Sequence, residues 1–243
     1  MKKYILFFFL ISIHTIAFCQ PICSFDEKMQ ELIATNPNYA REYQLTEQKI
    51  KEYIATHQVA KPGTPTVVYT IPVVVHVMHT GGAIGSTYNP NDATIQNTIN
   101  YLNQVYAGTY AGMEAPFGSS AVVNMELRFA FAQRTPSCGY TNGINRVDAS
   151  FIPGYTAAGV NNAGSNGCSD ITLKNFARWN PADYYNIWLV NKIDEKDGTS
   201  GQFIAGYAYF AGANASLDGT VMLATQMRAG SKVLPHEIGH AFN

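Results

Sequence analysis

The sequence predicts an α/β domain built on a twisted, mixed, five-stranded sheet, with one backing helix and a second helix at the end of the chain. Three observations lead to this prediction. Segments that are β-branched or alternate in polarity recur within residues 67–224, an amphipathic helical segment follows the first of them, and a short segment with two histidines ends the chain. Strands and helices interspersed in this way form layered sheets, not helix bundles or sandwiches.

The first strand and the helix after it have clear signatures. Residues 67–77, VVYTIPVVVHV, are rich in β-branched side chains and long enough for a buried strand, in which Pro72 indicates a bend. Asn91 or Asp92 can cap a helix that runs to about Val105, because short polar side chains accept hydrogen bonds from the first helical N–H groups. Apolar residues fall on one face of this helix, which can cover the sheet.

The other strands are shorter and are separated by turns. They are predicted at residues 123–131, 187–190, 206–210 and 220–224. The first of these alternates apolar and other residues, as in a strand with one buried face. Residues 135–170 are turn-rich and predict a long irregular excursion, and a final helix is expected to begin near Lys232.

The composition excludes several classes of protein. The 243 residues are 47% hydrophobic and 14% charged, and the net charge is −1 at pH 7. A chain this apolar is not typical of disordered proteins. The balanced charge is not typical of nucleic-acid binders, whose binding face is basic. We therefore expect a globular protein without a nucleic-acid partner.

Residues 1–19 are typical of a secretory signal peptide. Two lysines precede the apolar residues 4–18, and Ala17 and Cys19 are small residues placed before a cleavage site. The apolar stretch is short for a transmembrane helix, which needs about 20 residues. A lipid anchor on Cys19 fits less well because bulky Phe18 precedes it. We expect a secreted protein without stable membrane association once the signal is removed.

The distribution of charge separates an N-terminal part from the body of the chain. Eleven of the 33 charged residues lie within residues 26–61, against twenty after residue 65. The charged part predicts two helices that are interrupted at Pro37, because proline does not continue a helix, and it ends in the linker KPGTP. Residues 20–65 are therefore either a pro-segment or an N-terminal subdomain, and residues 66–243 form the main domain.

Three cysteines remain after cleavage of the signal peptide, and an odd number is unusual in an oxidising compartment. Cys138 and Cys168 lie 30 residues apart in turn-rich segments and could form a disulfide. Closing such a loop would stabilise the fold by roughly 3–4 kcal/mol. Cys23 would then remain alone near the mature N-terminus.

The most informative residues are the last eight, HEIGHAFN. His236, Glu237 and His240 match the pattern H-E-x-x-H. On a helix, residues four apart share a face, so both imidazoles can bind one Zn²⁺. Glu237 would lie beside the open coordination position, where its carboxylate can take a proton from water and deliver it to a leaving amine. Pro235 is compatible with this helix only in its first turn.

The other candidate ligands are less convincing. A catalytic zinc usually has three protein ligands, and this sequence shows two good ones. His76 and His79 lie on the first strand, where we expect packed and hydrogen-bonded imidazoles. The turn at residues 194–201, DEKDGTSG, is rich in oxygen ligands and is a candidate Ca²⁺ site, although a solvated loop is the preferred interpretation.

Taken together, these residues resemble the pappalysin-type metzincin metalloproteases, in particular their bacterial secreted branch. The resemblance covers most of the chain, namely IPVVVHVMH at 71–79, INYLNQVYAG at 99–108, GINRV at 143–147, WNPADYYNIWLVN at 179–191, GYAYF at 206–210, DGTVML at 218–223 and HEIGHAFN at 236–243. It implies a metzincin-like N-terminal subdomain, in which the last helix carries the active site. It also implies a zinc endopeptidase that acts on protein or peptide substrates.

The family's extended motif is H-E-x-x-H-x-x-G-x-x-H, followed by a turn that contains methionine. His236, Glu237 and His240 match the first ligand, the general base and the second ligand, whereas Asn243 stands at the glycine position. Asparagine tolerates the left-handed conformation that this position needs. The third histidine, the methionine turn and the C-terminal subdomain would all fall after Asn243. The resemblance thus implies that residues 66–243 are the N-terminal part of a catalytic domain.

The resemblance also implies roles outside the zinc motif. Related proenzymes have a cysteine in a context similar to CSFDE, so the Cys23 thiolate would occupy the open zinc position and keep the enzyme latent. Alternatively, Cys23 pairs with a cysteine beyond this sequence. The edge strand above the zinc would bind substrate in extended form through Gly206, Tyr207, Ala208 and Tyr209, with the two tyrosine side chains serving for packing. A catalytically incomplete fragment or binding module remains the competing hypothesis.

Overall fold

A computed structural model of the chain describes residues 21–23, 25–57, 67–111, 123–210 and 213–242. The predicted signal peptide and the KPGTP linker lie outside these ranges. The strands of the described residues are β1 (Pro21–Cys23), β2 (Tyr69–His79), β3 (Leu127–Phe131), β4 (Ile144–Asp148), β5 (Tyr185–Val190), β6 (Phe203–Tyr207) and β7 (Thr220–Leu223). The helices are α1 (Phe25–Thr35), α2 (Pro37–Thr56), α3 (Asp92–Tyr106), α4 (Tyr155–Ala158), α5 (Asp170–Ala177) and α6 (Val233–Phe242), with 3₁₀ turns at Ala149–Phe151 and Ala224–Gln226.

One mixed sheet contains all seven of these strands, in the order β1-β6-β7-β5-β2-β3, with β4 also paired to β2. The antiparallel pair is β6 with β7, and the other pairs are parallel. Every residue of β5 and β7 is buried, as expected for strands covered on both faces. The predicted mixed α/β fold is confirmed, with β1 and β4 added to the five predicted strands.

The helices begin where the sequence places their caps. The side chain of Asn91 accepts a hydrogen bond from the Thr94 N–H at 2.8 Å, which starts α3 as predicted. Asn36 accepts from the Tyr39 N–H at 3.1 Å and caps α2, so the predicted break between the first two helices is present. None of the described helices is long and apolar enough to cross a membrane.

Two predicted strands are shifted by three or more residues at one or both ends. The strand expected at 123–131 begins only at Leu127, because Glu126 has a φ of 58° and interrupts the extended backbone. The strand expected at 206–210 is β6, which ends at Tyr207, the last residue that is paired with β7. Within the excursion predicted at 135–170, the structure contains β4, which pairs with the second half of β2.

The predicted disulfide is not formed, because its two cysteines lie in different environments. Cys138 is exposed in a turn, where its N–H donates to the Thr135 carbonyl at 2.8 Å. Cys168 is buried, and its N–H donates to the Gly159 carbonyl at 2.9 Å. Both are free thiols, and burial raises the pKa of Cys168 to about 11. The stabilisation expected from this loop closure is therefore absent.

Candidate active site

The candidate site is on α6, which begins at Val233, one residue after the predicted start. Pro235 lies in the first turn, where a missing N–H costs no helical hydrogen bond. Leu234, Ile238 and Ala241 are buried and attach the helix to the core. His236 is exposed and His240 is partly exposed, so the two imidazoles share the face that points away from that core.

The two imidazoles converge. Their Nε2 atoms lie 3.1 Å apart, and the ring planes are inclined at 82°. Two nitrogen ligands at about 2.0–2.1 Å from a tetrahedral zinc ion would be separated by about 3.3 Å, close to this distance. His236 and His240 therefore fit a shared zinc ion. No group of three His, Cys, Asp or Glu side chains in the described ranges is arranged to hold a metal.

Glu237 lies between these two histidines in the sequence and is only 2% exposed. Its Oε2 atom is buried and has no hydrogen-bond partner among the described residues. Burial raises the pKa of this carboxyl group to about 8. Burying a carboxylate oxygen without a hydrogen-bond partner costs free energy. A water molecule at a neighbouring metal would be such a partner.

The edge predicted to bind substrate is covered by the N-terminal segment. β1 pairs in parallel with β6, and Cys23 lies opposite Gly206. A Cβ atom on Gly206 would lie 3.2 Å from Glu237 Cγ and 3.0 Å from the Val221 carbonyl oxygen. The backbone of Cys23 is thus beside a strand position that leaves no room for a side chain next to the candidate base.

Tyr207 and Tyr209 are buried, in agreement with a packing role. Their hydroxyl groups donate to the two carboxylate oxygens of Asp170, at 2.9 and 3.0 Å. Lys174 is fully buried beside them, 3.1 Å from Asp170 and 4.4 Å from the centre of the Tyr209 ring. This ion pair was not predicted from the sequence, although the four-residue spacing of Asp170 and Lys174 after the capping Ser169 is a recognisable signal.

An aromatic contact beside the histidines was not predicted from the sequence either. Phe25, the first residue of α1, stacks on the His240 ring with a centroid distance of 3.7 Å and an interplanar angle of 6°. The rings of Phe25 and Phe210 meet edge to face, with their centroids 4.7 Å apart. Tyr43 of α2 lies 5.3 Å from Phe210. No local pattern marks this contact, because its members are far apart in sequence.

His76 is packed and hydrogen-bonded, as expected for a buried strand residue. Its Nε2 is 2.8 Å from the side-chain oxygen Oδ1 of Asn186, and its Nδ1 is 3.0 Å from Asn145 Nδ2. These partners require Nε2 to donate and Nδ1 to accept, which is the neutral form. Burial lowers the pKa of His76 to about 4. His79 is partly buried and accepts a hydrogen bond from the Gly81 N–H.

The candidate calcium turn has internal partners for its carboxylates. Asp194 accepts backbone N–H groups of residues 162, 163 and 164 at 2.8–3.0 Å. Asp197 accepts from the Tyr88 hydroxyl at 2.7 Å and from Thr199. The carboxylates of Asp194 and Asp197 therefore accept hydrogen bonds from donors of the protein itself.

The structure is similar to solved metallopeptidases. A promirolysin mutant from Tannerella forsythia matches with a TM-score of 0.62 and 23% identity over 90% of this chain and 67% of the other. Mirolysin in complex with a compound and mature Tannerella forsythia mirolysin with a cleaved peptide both match at 25% identity, with TM-scores of 0.55 and 0.54, over 72% of this chain and 63% of theirs.

The sequence comparisons returned no match: no protein-family model fits the chain, and no curated protein matches it. The chain spans 63–67% of the length of the solved structures that it resembles. Its mixed sheet and its helices are consistent with their fold. The protein therefore has the fold of the metzincin-type metallopeptidases.

Proposed function

We propose that the protein is a secreted zinc-dependent endopeptidase of the pappalysin type, kept latent by its N-terminal segment. The observation that carries the proposal is the convergence of the His236 and His240 Nε2 atoms, 3.1 Å apart, beside the buried carboxylate of Glu237. The likeness to metallopeptidases supports a peptidase in general. The assignment to a secreted enzyme rests on the signal-peptide pattern at residues 1–19.

In this proposal the residues of the site divide the reaction between them. His236 and His240 would hold a zinc ion, which would supply a Lewis acid for the scissile carbonyl and for the attacking water at neutral pH. A cation held by the two histidines would lower the pKa of Glu237 from its raised value of about 8 and so favour the carboxylate. As a carboxylate, Glu237 accepts a proton from the attacking water and delivers it to the leaving amine. The edge of β6 at Gly206 holds the peptide in extended form through main-chain hydrogen bonds, which positions the scissile bond without reading much of its sequence.

The proposed domain boundaries are a pro-segment at residues 20–65 and a catalytic domain from residue 66, of which this chain supplies the N-terminal part. The pairing of β1 with β6 supports latency, because a substrate cannot pair with the same edge while β1 is there. The proform neighbour matches 90% of the chain and the mature forms 72%. The difference, 18% of 243 residues, is about 44 residues and close to the length of the proposed segment.

Cys23 is the proposed latency switch. Its backbone lies opposite Gly206, the strand residue at which an added Cβ atom would lie 3.2 Å from Glu237 Cγ. A thiolate is a strong zinc ligand and would displace the reactive water. In the full-length proform, Cys23→Ala should produce peptide hydrolysis without any cleavage of the segment, whereas Cys138→Ala, which changes an exposed free cysteine, should leave the proform latent. A Cys23→Ala protein as latent as the wild type would show that Cys23 is not the latency switch.

Glu237→Gln tests the function itself. Hydrolysis of a peptide by the zinc-loaded protein, after removal of its N-terminal segment, should fall by about a hundredfold or more, since the general base is lost. The bound zinc, measured by elemental analysis, should stay close to that of the wild type, because both histidines remain. Glu195→Gln, which changes an exposed glutamate of the body that remains after the segment is removed, is the matched control. Undiminished hydrolysis in Glu237→Gln would disprove the assigned role.

A catalytically incomplete binding module is the second candidate. Two histidines without a third ligand in the described ranges favour it, since two ligands hold zinc weakly. The test compares zinc affinity and hydrolysis for this chain and for the product that includes any sequence encoded after Asn243. Tight zinc binding with hydrolysis in the longer product supports the protease. Weak binding without hydrolysis in both supports the binding module.

A further inference from the structure

Phe25 belongs to the N-terminal segment, yet its side chain is only 4% exposed. Its ring lies parallel to the His240 imidazole at 3.7 Å and meets Phe210 edge to face at 4.7 Å. Both geometries are favourable for aromatic rings, and each stabilises the contact by more than the burial of apolar area alone. The phenyl ring is therefore held by two ring planes that are set nearly at right angles to each other.

The walls of this site belong to the body of the protein. Phe210 follows β6, and His240 is on α6, so both remain when the segment leaves. The rings of Phe25 and Tyr43 that contact Phe210 both come from the segment. Removal of the segment therefore uncovers the Phe210 ring and one face of the His240 ring, side by side at the end of β6.

The same strand is the proposed edge for substrate binding. β1 brings Phe25 to this place by pairing with β6, and Phe25 is two residues after Cys23, which lies opposite Gly206. A peptide that replaces β1 along β6 also passes the end of the strand. One of its side chains would then meet the rings that Phe25 leaves.

We propose that Phe210 and the face of His240 form a subsite for an aromatic side chain of the peptide substrate, which Phe25 fills while the segment is docked. This inference rests on the proposed function. An aromatic ring can stack on the imidazole and present its face or edge to Phe210, whereas an aliphatic side chain buries area without this ring geometry. Substrates with Phe, Tyr or Trp at this one position are therefore preferred.

A binding experiment tests the subsite independently of catalysis. The full-length Glu237→Gln protein is treated by limited proteolysis to release its segment, and peptides matching residues 20–35 are titrated by fluorescence anisotropy. The peptide variant Phe25→Ala should bind about tenfold more weakly, and Phe25→Tyr should change binding less than about threefold. In Phe210→Ala protein the difference between the native peptide and its Phe25→Ala variant should largely disappear, whereas Phe151→Ala, which removes a 77% exposed phenylalanine, should preserve it.

A cleavage experiment then separates this inference from the proposed function. The protein with Glu237 intact is released from its segment and given a peptide library, and the cleaved bonds are identified by mass spectrometry. We expect aromatic residues to be enriched at one position, and Phe210→Ala to reduce the enrichment. Equal affinity of the native and Phe25→Ala peptides, or cleavage without aromatic enrichment, overturns the subsite. Ring-dependent peptide binding without any hydrolysis supports the subsite and overturns the peptidase.

Discussion

The N-terminal segment and the body of the molecule are held together in different ways. In the body, every residue of β5 and β7 is buried between helices and loops. In the segment, α2 has twenty residues, of which Tyr39 is buried, and its later residues Tyr53 and Ile54 are 62% and 68% exposed. The body therefore has a core that is continuous along the sheet, whereas the segment has a small patch of contacts.

The position of that patch is instructive. Among the side chains of the segment that the structure describes, the buried ones are Phe25, Met29 and Tyr39, and Phe25 contacts His240 directly. Local regions with few buried contacts can open without global unfolding. The segment can therefore cover the candidate site tightly and still be released, while the site itself is fixed by the core of the body. The predictions below test this division.

The largest effect is expected for Lys174 in the body. Burial lowers its pKa, and the neighbouring Asp170 opposes this shift. Lys174→Ala leaves the Asp170 carboxylate buried without its cation, and it should lower the free energy of unfolding by about 3–5 kcal/mol in urea titrations. Lys49→Ala, in the exposed part of α2, should change it by less than about 0.5 kcal/mol. Similar losses in both variants would contradict the division between core and segment.

A smaller effect is expected from the protonation of His76 at the centre of β2. Its pKa is about 4 in the folded protein, below the usual 6.5, because the imidazole is buried. Below pH 6.5 the unfolded chain binds a proton at this imidazole that the folded chain does not bind. The contribution of His76 to the free energy of unfolding is therefore fully present above about pH 6.5 and falls as the pH drops towards 4. The loss from this group approaches roughly 3 kcal/mol.

The measurement for His76 is the free energy of unfolding against pH. His76→Gln has lower stability at neutral pH, but its curve should be flatter between pH 6.5 and about 4 than that of the wild type. His57→Gln changes an exposed histidine of the segment and is the matched control. Parallel curves for the wild type and His76→Gln would show that this imidazole does not carry the acid sensitivity.

The sequence predicted those elements whose signal is local. The break between the first two helices, the cap at Asn91, the β-branched β2 and the H-E-x-x-H helix all lie within a few residues of where they were expected. β1 has three residues and no pattern of its own, since it is a strand only through its pairing with β6. β4 likewise depends on the second half of β2. Short strands of this kind are determined by distant partners, which local propensity does not reveal.

The site shows the same limit. The spacing of His236 and His240 is a local signal, and it predicted that both imidazoles share one face of α6. The stacking of Phe25 on His240 joins two distant parts of the chain, and the Asp170 contacts with Tyr207 and Tyr209 cross from α5 to β6 and beyond. The predicted disulfide fails for the same reason, because sequence spacing does not place Cys138 near Cys168 in space.

Two glycines of the body, one on β6 opposite Cys23 and one on α6, should respond in opposite directions. A Cβ on Gly206 would lie 3.0 Å from the Val221 carbonyl oxygen and 3.2 Å from Glu237 Cγ. Gly206→Ala should therefore destabilise the protein by about 1–3 kcal/mol, because the backbone cannot yield easily. A Cβ on Gly239, in α6, has its nearest neighbour at 3.8 Å, so Gly239→Ala should stabilise by about 0.5–1 kcal/mol. Thermal unfolding of both variants measures this contrast, and a shift of the same sign would refute it.

The smallest effect on the body is expected from Met29, although this side chain is only 5% exposed and accepts a hydrogen bond from the Tyr39 hydroxyl. Because the segment docks through a small patch, the loss of packing in Met29→Ala should weaken the docking of the segment and not the folding of the body. Trp179 and Trp188 are the two tryptophans, and both lie in the body, so their fluorescence in urea reports unfolding of the body. The free energy from this signal should change by less than about 0.5 kcal/mol.

Hydrogen exchange completes the test, since it reports on the segment directly. In Met29→Ala the amides of α1 should exchange faster by about tenfold or more, while those of β5 should keep their protection. Ile54→Ala, at an exposed position of α2, should alter neither region. If Met29→Ala instead lowers the unfolding free energy of the body by about 2 kcal/mol or more, as a core truncation does, the segment is part of one cooperative unit with the body. Its release would then require a rearrangement of the site that it covers.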